Sequence, residues 1–195
     1  MKRIVRSING FLATATMFSA VLLCAGDVNA EPIKIDSAAS TIVVQFRQMG
    51  VAVDAQFNKI RIDAQFDPAD VASARASTVI ETASFDFGPG AEEYNAEVQA
   101  PDWFDSKQYP TASFEVTGAR DDGNNKYGVI GKLTLKGVTK EIAAQFMLTQ
   151  ESGKTILQGQ VPISRLEFNI GQGEWKDTAI VEDKVIVKFR IVGTR

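Results

Sequence analysis

The chain has 195 residues, a formal net charge of −3 and no histidine. The length suits a single domain with a sizeable core. The mildly acidic, unclustered charge speaks against nucleic acid or anionic lipid headgroups as main partners. The missing histidine removes the usual general base, the Ser–His and Cys–His catalytic arrangements and the commonest zinc ligand.

The first thirty residues read as a processing segment. Lys2, Arg3 and Arg6 form a basic start, Phe11 to Ala25 a short apolar stretch, and Val28-Asn29-Ala30 a small-residue end. This three-part pattern predicts a secretory signal peptide cleaved between Ala30 and Glu31, hence an exported protein with no stable membrane insertion afterwards. A retained anchor is the first alternative. A lipid on Cys24 is the second, opposed by the bulky Leu23 before it. Cleavage removes three basic residues and one acid, so 165 residues with a net charge of −5 remain. Cys24, the single cysteine, leaves with the signal, so the domain expected over 31–195 has no disulfide.

Period-two alternation then recurs to the end of the chain. Ile42, Val44 and Phe46 share one face of a strand. Val53, Ala55 and Phe57 continue the pattern, which shifts phase to Ile60, Ile62, Ala64 and Phe66; the shift predicts one long strand bulged or bent near Asn58-Lys59. Pro68 to Ala74 and Ala91 to Gln99 are short enough to be helical. Further strands are expected over Ser77–Phe87, Ser113–Thr117, Tyr127–Leu135, Ile142–Leu148, Thr155–Ile163 and Val185–Ile191. Lys136-Gly137 has the character of a two-residue hairpin turn. About eight antiparallel strands with one or two short helices predict an all-β domain, and the bend favours a barrel over a sandwich.

Few segments offer chemistry. Asp102 and Asp105 bracket Trp103 and Phe104 and could form a general acid/base pair, as in glycoside hydrolysis. The plainer alternative makes them turn and capping residues, with the aromatics packed over one barrel end. Gly171-Gln172-Gly173 lacks the strand and helix that a phosphate loop needs. Asp121 to Asn125 lacks calcium-loop spacing and reads as a solvated hairpin. Ser106 and Lys107 are neighbours that would project oppositely. The aromatic inventory, which includes Phe85, Phe87, Trp175 and Phe189, either packs the core or lines a tunnel.

Asp102-Trp103-Phe104-Asp105 with Tyr109-Pro110 and Phe114 resembles the central signature of the YceI-like family. So does the run from Gly131 through Leu133-Thr134-Leu135-Lys136-Gly137-Val138-Thr139-Lys140. Ile163 to Gly171 resembles that family's Arg-x-x-Phe-x-Ile segment, and Met49-Gly50-Val51 and Phe57-Asn58-Lys59 also match. The resemblance implies a periplasmic protein with an extended, lipocalin-like antiparallel barrel whose hydrophobic tunnel holds a polyisoprenoid or similar long-chain amphiphile. It implies Phe46, Phe57, Phe66, Trp103, Phe104, Phe114, Phe146, Arg165 and Phe168 as tunnel-wall or mouth residues. No catalytic residue, metal ligand or cofactor is expected, and the oligomeric state stays open, a dimer included. Glu92 to Val98 departs from the family, placing acids where many relatives carry an Arg-Asp-x-His-Leu run. Two other readings remain: an enzyme acting on a lipid or sugar through Asp102 and Asp105, and a stress-related accessory protein with a filled barrel.

Overall fold

The computed structural model describes residues 33–194. The predicted signal segment, its cleavage site and Cys24 lie outside the described residues. Nine substantial strands form the domain: β2 (Thr41–Gln48), β3 (Val51–Phe57), β4 (Ile60–Gln65), β5 (Arg75–Glu81), β7 (Thr111–Gly123), β8 (Lys126–Leu135), β9 (Val138–Glu151), β10 (Lys154–Ser164) and β11 (Lys184–Thr194). Two-residue strands β1 (Lys34–Ile35) and β6 (Phe85–Asp86) complete the sheet, and the one α-helix among the described residues, α1, spans Glu92–Glu97. Every described pairing is antiparallel, in the order β4-β5-β7-β8-β9-β10-β11-β2-β3-β6, with β1 beside β11.

One end of that order is β4; the other is the two-residue β6, which caps β3, and β3 immediately precedes β4 in the chain. The expected single bent strand is therefore two strands, and Asn58-Lys59 is more than a bulge. Before it the chain pairs with β2, and after it with β5. The phase shift is real because the segment changes partners. Covalent continuity thus curls the sheet into a barrel, helped at the junction by Asn58 N–H donating to the Ser84 carbonyl and Glu81 N–H to that of Lys59, both at 3.0 Å. Taking 51–65 as one segment leaves eight long strands, as the alternation implies.

Four strand pairs are joined by two-residue turns: Met49-Gly50, Asn124-Asn125, Lys136-Gly137 and Ser152-Gly153. All eight residues have positive φ, the twist that suits right-handed strands. Asp121 to Asn125 is one such hairpin end, with Asp121 Oδ1 accepting from Gly123 N–H at 2.8 Å. The Ser77–Phe87 strand breaks at a 3-10 turn over Thr82–Ser84, where the fully buried Thr82 donates its hydroxyl to the Tyr109 carbonyl at 2.8 Å. Pro68 to Ala74 contains only a 3-10 turn, Val71–Ser73. The strand expected over Ser113–Thr117 extends to Gly123, its charged end concealing the pattern.

The core separates into two clusters. One gathers Phe66, Tyr127, Phe146, Leu148 and Val161, and the other Phe57, Phe85, Phe104, Phe168 and Ile170. Ile163, Val187 and Phe189 pack against both. Phe189 needs room beneath it, which Gly159 supplies: a Cβ there would stand against the Gln145 carbonyl and within 2.6 Å of the Phe189 ring. Because one obstacle is backbone, Gly159→Ala is expected to destabilise the fold by about 1–3 kcal/mol. A lowered urea midpoint at unchanged slope would register the loss.

Candidate functional site

The inward positions enclose space instead of meeting. Two apolar cavities lie inside the barrel, of about 420 and 220 Å³. Alternation along β11 shows how they are built. Val185 and Val187 line the larger cavity, and Val187, Phe189 and Ile191 the smaller. On β2, Phe46 and Val44 face the larger and Ile42 the smaller. β3 contributes Val53 and Phe57 to the larger, while β4 turns Ile62 and Ala64 to the smaller. The polar lining is sparse: Gln48, Glu97 and Arg165 in the larger, Gln65, Arg75 and Thr78 in the smaller.

Three segments build the mouth of the larger cavity: α1, the loop after it, and the excursion between β10 and β11. Phe87 and the exposed Tyr94 from the α1 side pack at 6.1 Å, and Trp103 meets Trp175 of the excursion at 5.5 Å. The polar residues here mostly serve the backbone. Asp86 accepts from Gly88 N–H, Asn95 Nδ2 and Asn58 Nδ2, each at 2.9 Å, which ties α1 to the sheet edge. These bonds, led by that from Gly88, hold its carboxyl below the ordinary value of 3.8. Lys136, at the tip of the β8–β9 hairpin, donates its ammonium to the carbonyls of Pro101 and Asn169, linking the loop to the excursion. Burial pushes its pKa down, and Asp105 and Asp102 oppose that shift.

Arg165 is the polar centre of the excursion. It is 3% exposed, and all five guanidinium N–H groups meet backbone carbonyls: Nε that of Glu182, Nη1 those of Ile170 and Gly171, Nη2 those of Trp175 and Val181. Burial pushes the guanidinium pKa down, partly offset by the Asp183 carboxylate. One side chain therefore helps to shape a loop whose regular structure is two short 3-10 turns and a single bridge from Val181 to Gln48.

The structure sorts the residues proposed from sequence. Phe46, Phe57, Trp103, Phe104 and Arg165 line the larger cavity, and Phe66, Phe114 and Phe146 the smaller. Phe168 lines neither; at 1% exposure it packs in the core behind the larger one. Arg165 stands in the wall, but with every donor taken it offers a ligand charge and no free hydrogen bond. Trp175, which the sequence offers only within the aromatic set that packs the core or lines a tunnel, also lines the larger cavity, as do Tyr94 and Glu97, which the sequence does not single out. Asp102 and Asp105 line neither cavity and instead flank Lys136. Trp103 Nε1 and Ser106 Oγ are buried without a hydrogen-bond partner among the described residues.

A family model described as the YceI-like domain matches residues 33–193. A UPF0312 protein of Vibrio campbellii is 32% identical over 120 residues, covering 60% of this chain and 62% of the relative. One from Vibrio vulnificus is 31% identical over 124 residues, 61% of this chain and 65% of the relative. The match thus spans under two thirds of these relatives' length. Among solved structures, Burkholderia cenocepacia BcnA is similar with a TM-score of 0.79 and 40% identity, over 83% of this chain and 100% of that one. The Campylobacter jejuni YceI protein shares the fold with a TM-score of 0.63 at 21% identity, over 73% of this chain and 85% of that one.

Two predictions follow from the mouth. Arg165→Met strands five carbonyls and is expected to cost at least about 3 kcal/mol. Arg165→Lys, with three donors, restores only part of it; urea unfolding of both variants measures the difference. For Asp86, a folded pKa below the unfolded one means a stabilisation present above the ordinary value and lost as pH falls through the folded pKa. Wild-type protein should lose this contribution on acidification, while Asp86→Asn should lack that leg of the pH–stability curve.

Proposed function

We propose, from the premise that the chain belongs to the YceI-like family, that it is an exported, non-enzymatic carrier of a polyisoprenoid or similar long-chain amphiphile. The observation that carries this reading is the pair of apolar cavities within one barrel, with β2, β8, β10 and β11 contributing to both. Each methylene moved from water into such space contributes about 0.8 kcal/mol. A long tail can therefore offset the cost of its own immobilisation, and the aromatic walls, already rigid, add little further ordering cost.

The competing readings meet specific difficulties. A filled barrel would bring opposing side chains together where the 420 Å³ cavity lies. An acid/base pair would have to face bound substrate, whereas Asp102 is exposed and both carboxylates lie outside the cavity walls. Native mass spectrometry of protein purified from its own host, followed by organic extraction, is the direct test. A mass above that of the polypeptide, with a lipid recovered in the extract, is expected. A clean apo mass with an empty extract would overturn the carrier reading.

A further inference from the structure

We infer that Leu135, Ile163 and Val187 form a neck through which a ligand's tail passes, so that one elongated ligand occupies both cavities and these three residues set its affinity by tail length. The inference rests on the carrier reading and specifies which ligands that site takes. These are the residues that line both cavities. They come from three strands, β8, β10 and β11, and converge where one cavity gives way to the other. The division of the core agrees independently, since Ile163 and Val187 pack against both of its clusters.

Strand geometry supplies continuity. The inward row Val185, Val187, Phe189, Ile191 on β11 passes from the larger cavity to the smaller without a break in alternation. At about 3.4 Å per residue this row runs roughly 20 Å, the reach of an extended chain and more than a compact ring system needs. The chambers also differ in character. The larger has a wall of Phe, Tyr and Trp rings with Glu97 at its rim, suited to a flat or bulky head. The smaller is lined mainly by aliphatic residues, suited to a tail. A compact aromatic molecule fills only the first, whereas a ligand that gains affinity with each added carbon must reach the second.

Val187 is the position to probe, because it faces inward between Val161 of β10 and Val44 of β2. The experiment compares phenylnaphthylamine, read by its own fluorescence, with geraniol, farnesol and geranylgeraniol as competitors. On wild-type protein the isoprenols should tighten along the series, by up to about fourfold for each further buried carbon. In Val187→Phe, whatever the shift in the affinities for phenylnaphthylamine and geraniol, farnesol and geranylgeraniol should bind no tighter than geraniol. Ile163→Phe places the same obstacle from another strand and serves if the first variant fails to fold. If the gain from geraniol to geranylgeraniol persists in a folded neck variant, the tail does not pass between these residues and the inference is wrong. If wild-type protein binds none of the four probes, the carrier reading fails first.

Discussion

A domain that keeps apolar space at its centre cannot rely on its core to hold its walls apart. At about 24 cal/mol per Å³ left unfilled, a 420 Å³ cavity represents on the order of 10 kcal/mol of packing forgone. That is comparable to the whole folding free energy of a typical domain, about 5–15 kcal/mol. The walls must therefore carry the fold. They do so through long antiparallel ladders, ten register pairs between β8 and β9 and ten between β10 and β11. Edge-to-face aromatic contacts such as Phe57–Phe85 at 4.9 Å and Phe66–Tyr127 at 5.0 Å add packing within the walls. An occupant of the cavity would restore part of the missing contact, which links ligand binding to stability.

The same constraint explains the polar residues at the mouth. Irregular backbone laid over an apolar opening has carbonyl and N–H groups that neither a strand ladder nor the cavity can satisfy. Arg165 meets five such carbonyls, Lys136 two, and Asp86 an N–H together with two amide side chains. The motif around Lys136 thereby acquires a physical meaning. Leu133 and Leu135 face the interior, Thr134 and Thr139 share a hydroxyl hydrogen bond at 2.8 Å across the hairpin, and the left-handed turn at Lys136-Gly137 aims the ammonium at two loops. A Cβ on Gly137 would stand 2.7 Å from the Tyr109 ring, so the turn also needs glycine for space.

What was legible in the sequence is what depends on local periodicity. The alternation of Ile42, Val44 and Phe46, or of Val129, Leu133 and Leu135, is visible in any short window and identifies both strand and face. The phase shift at Asn58-Lys59 was visible too, but its cause was not, because a change of partner from β2 to β5 is a non-local event. Phe168 has the same chemistry as Phe46, and only the turn that buries it separates a packed aromatic from one lining the cavity. Arg165 was picked out by its motif, yet its acceptors are carbonyls of Ile170, Gly171, Trp175, Val181 and Glu182, whose side chains give no sign of the role. The excursion from Arg165 to Asp183 was illegible for this reason: much of its order comes from side chains, Arg165 and Lys136 among them, meeting scattered backbone.

The departure of residues 92–98 from the family pattern gains weight from the same geometry. Glu97 stands at the rim of the larger cavity, and Glu92 and Glu93 lie exposed on the same short helix. Among the described residues the one cation in that cavity's wall is Arg165, whose donors are all directed to backbone. A strongly anionic head at this mouth would face a carboxylate and find no free guanidinium N–H to offset its lost hydration, a costly arrangement for a charged group. A neutral or weakly polar head escapes that cost, and the surrounding rings of Tyr94, Trp103 and Trp175 still offer it a broad surface. The affinity of this site therefore has to come mainly from apolar burial along the barrel, which is the term that two connected chambers increase.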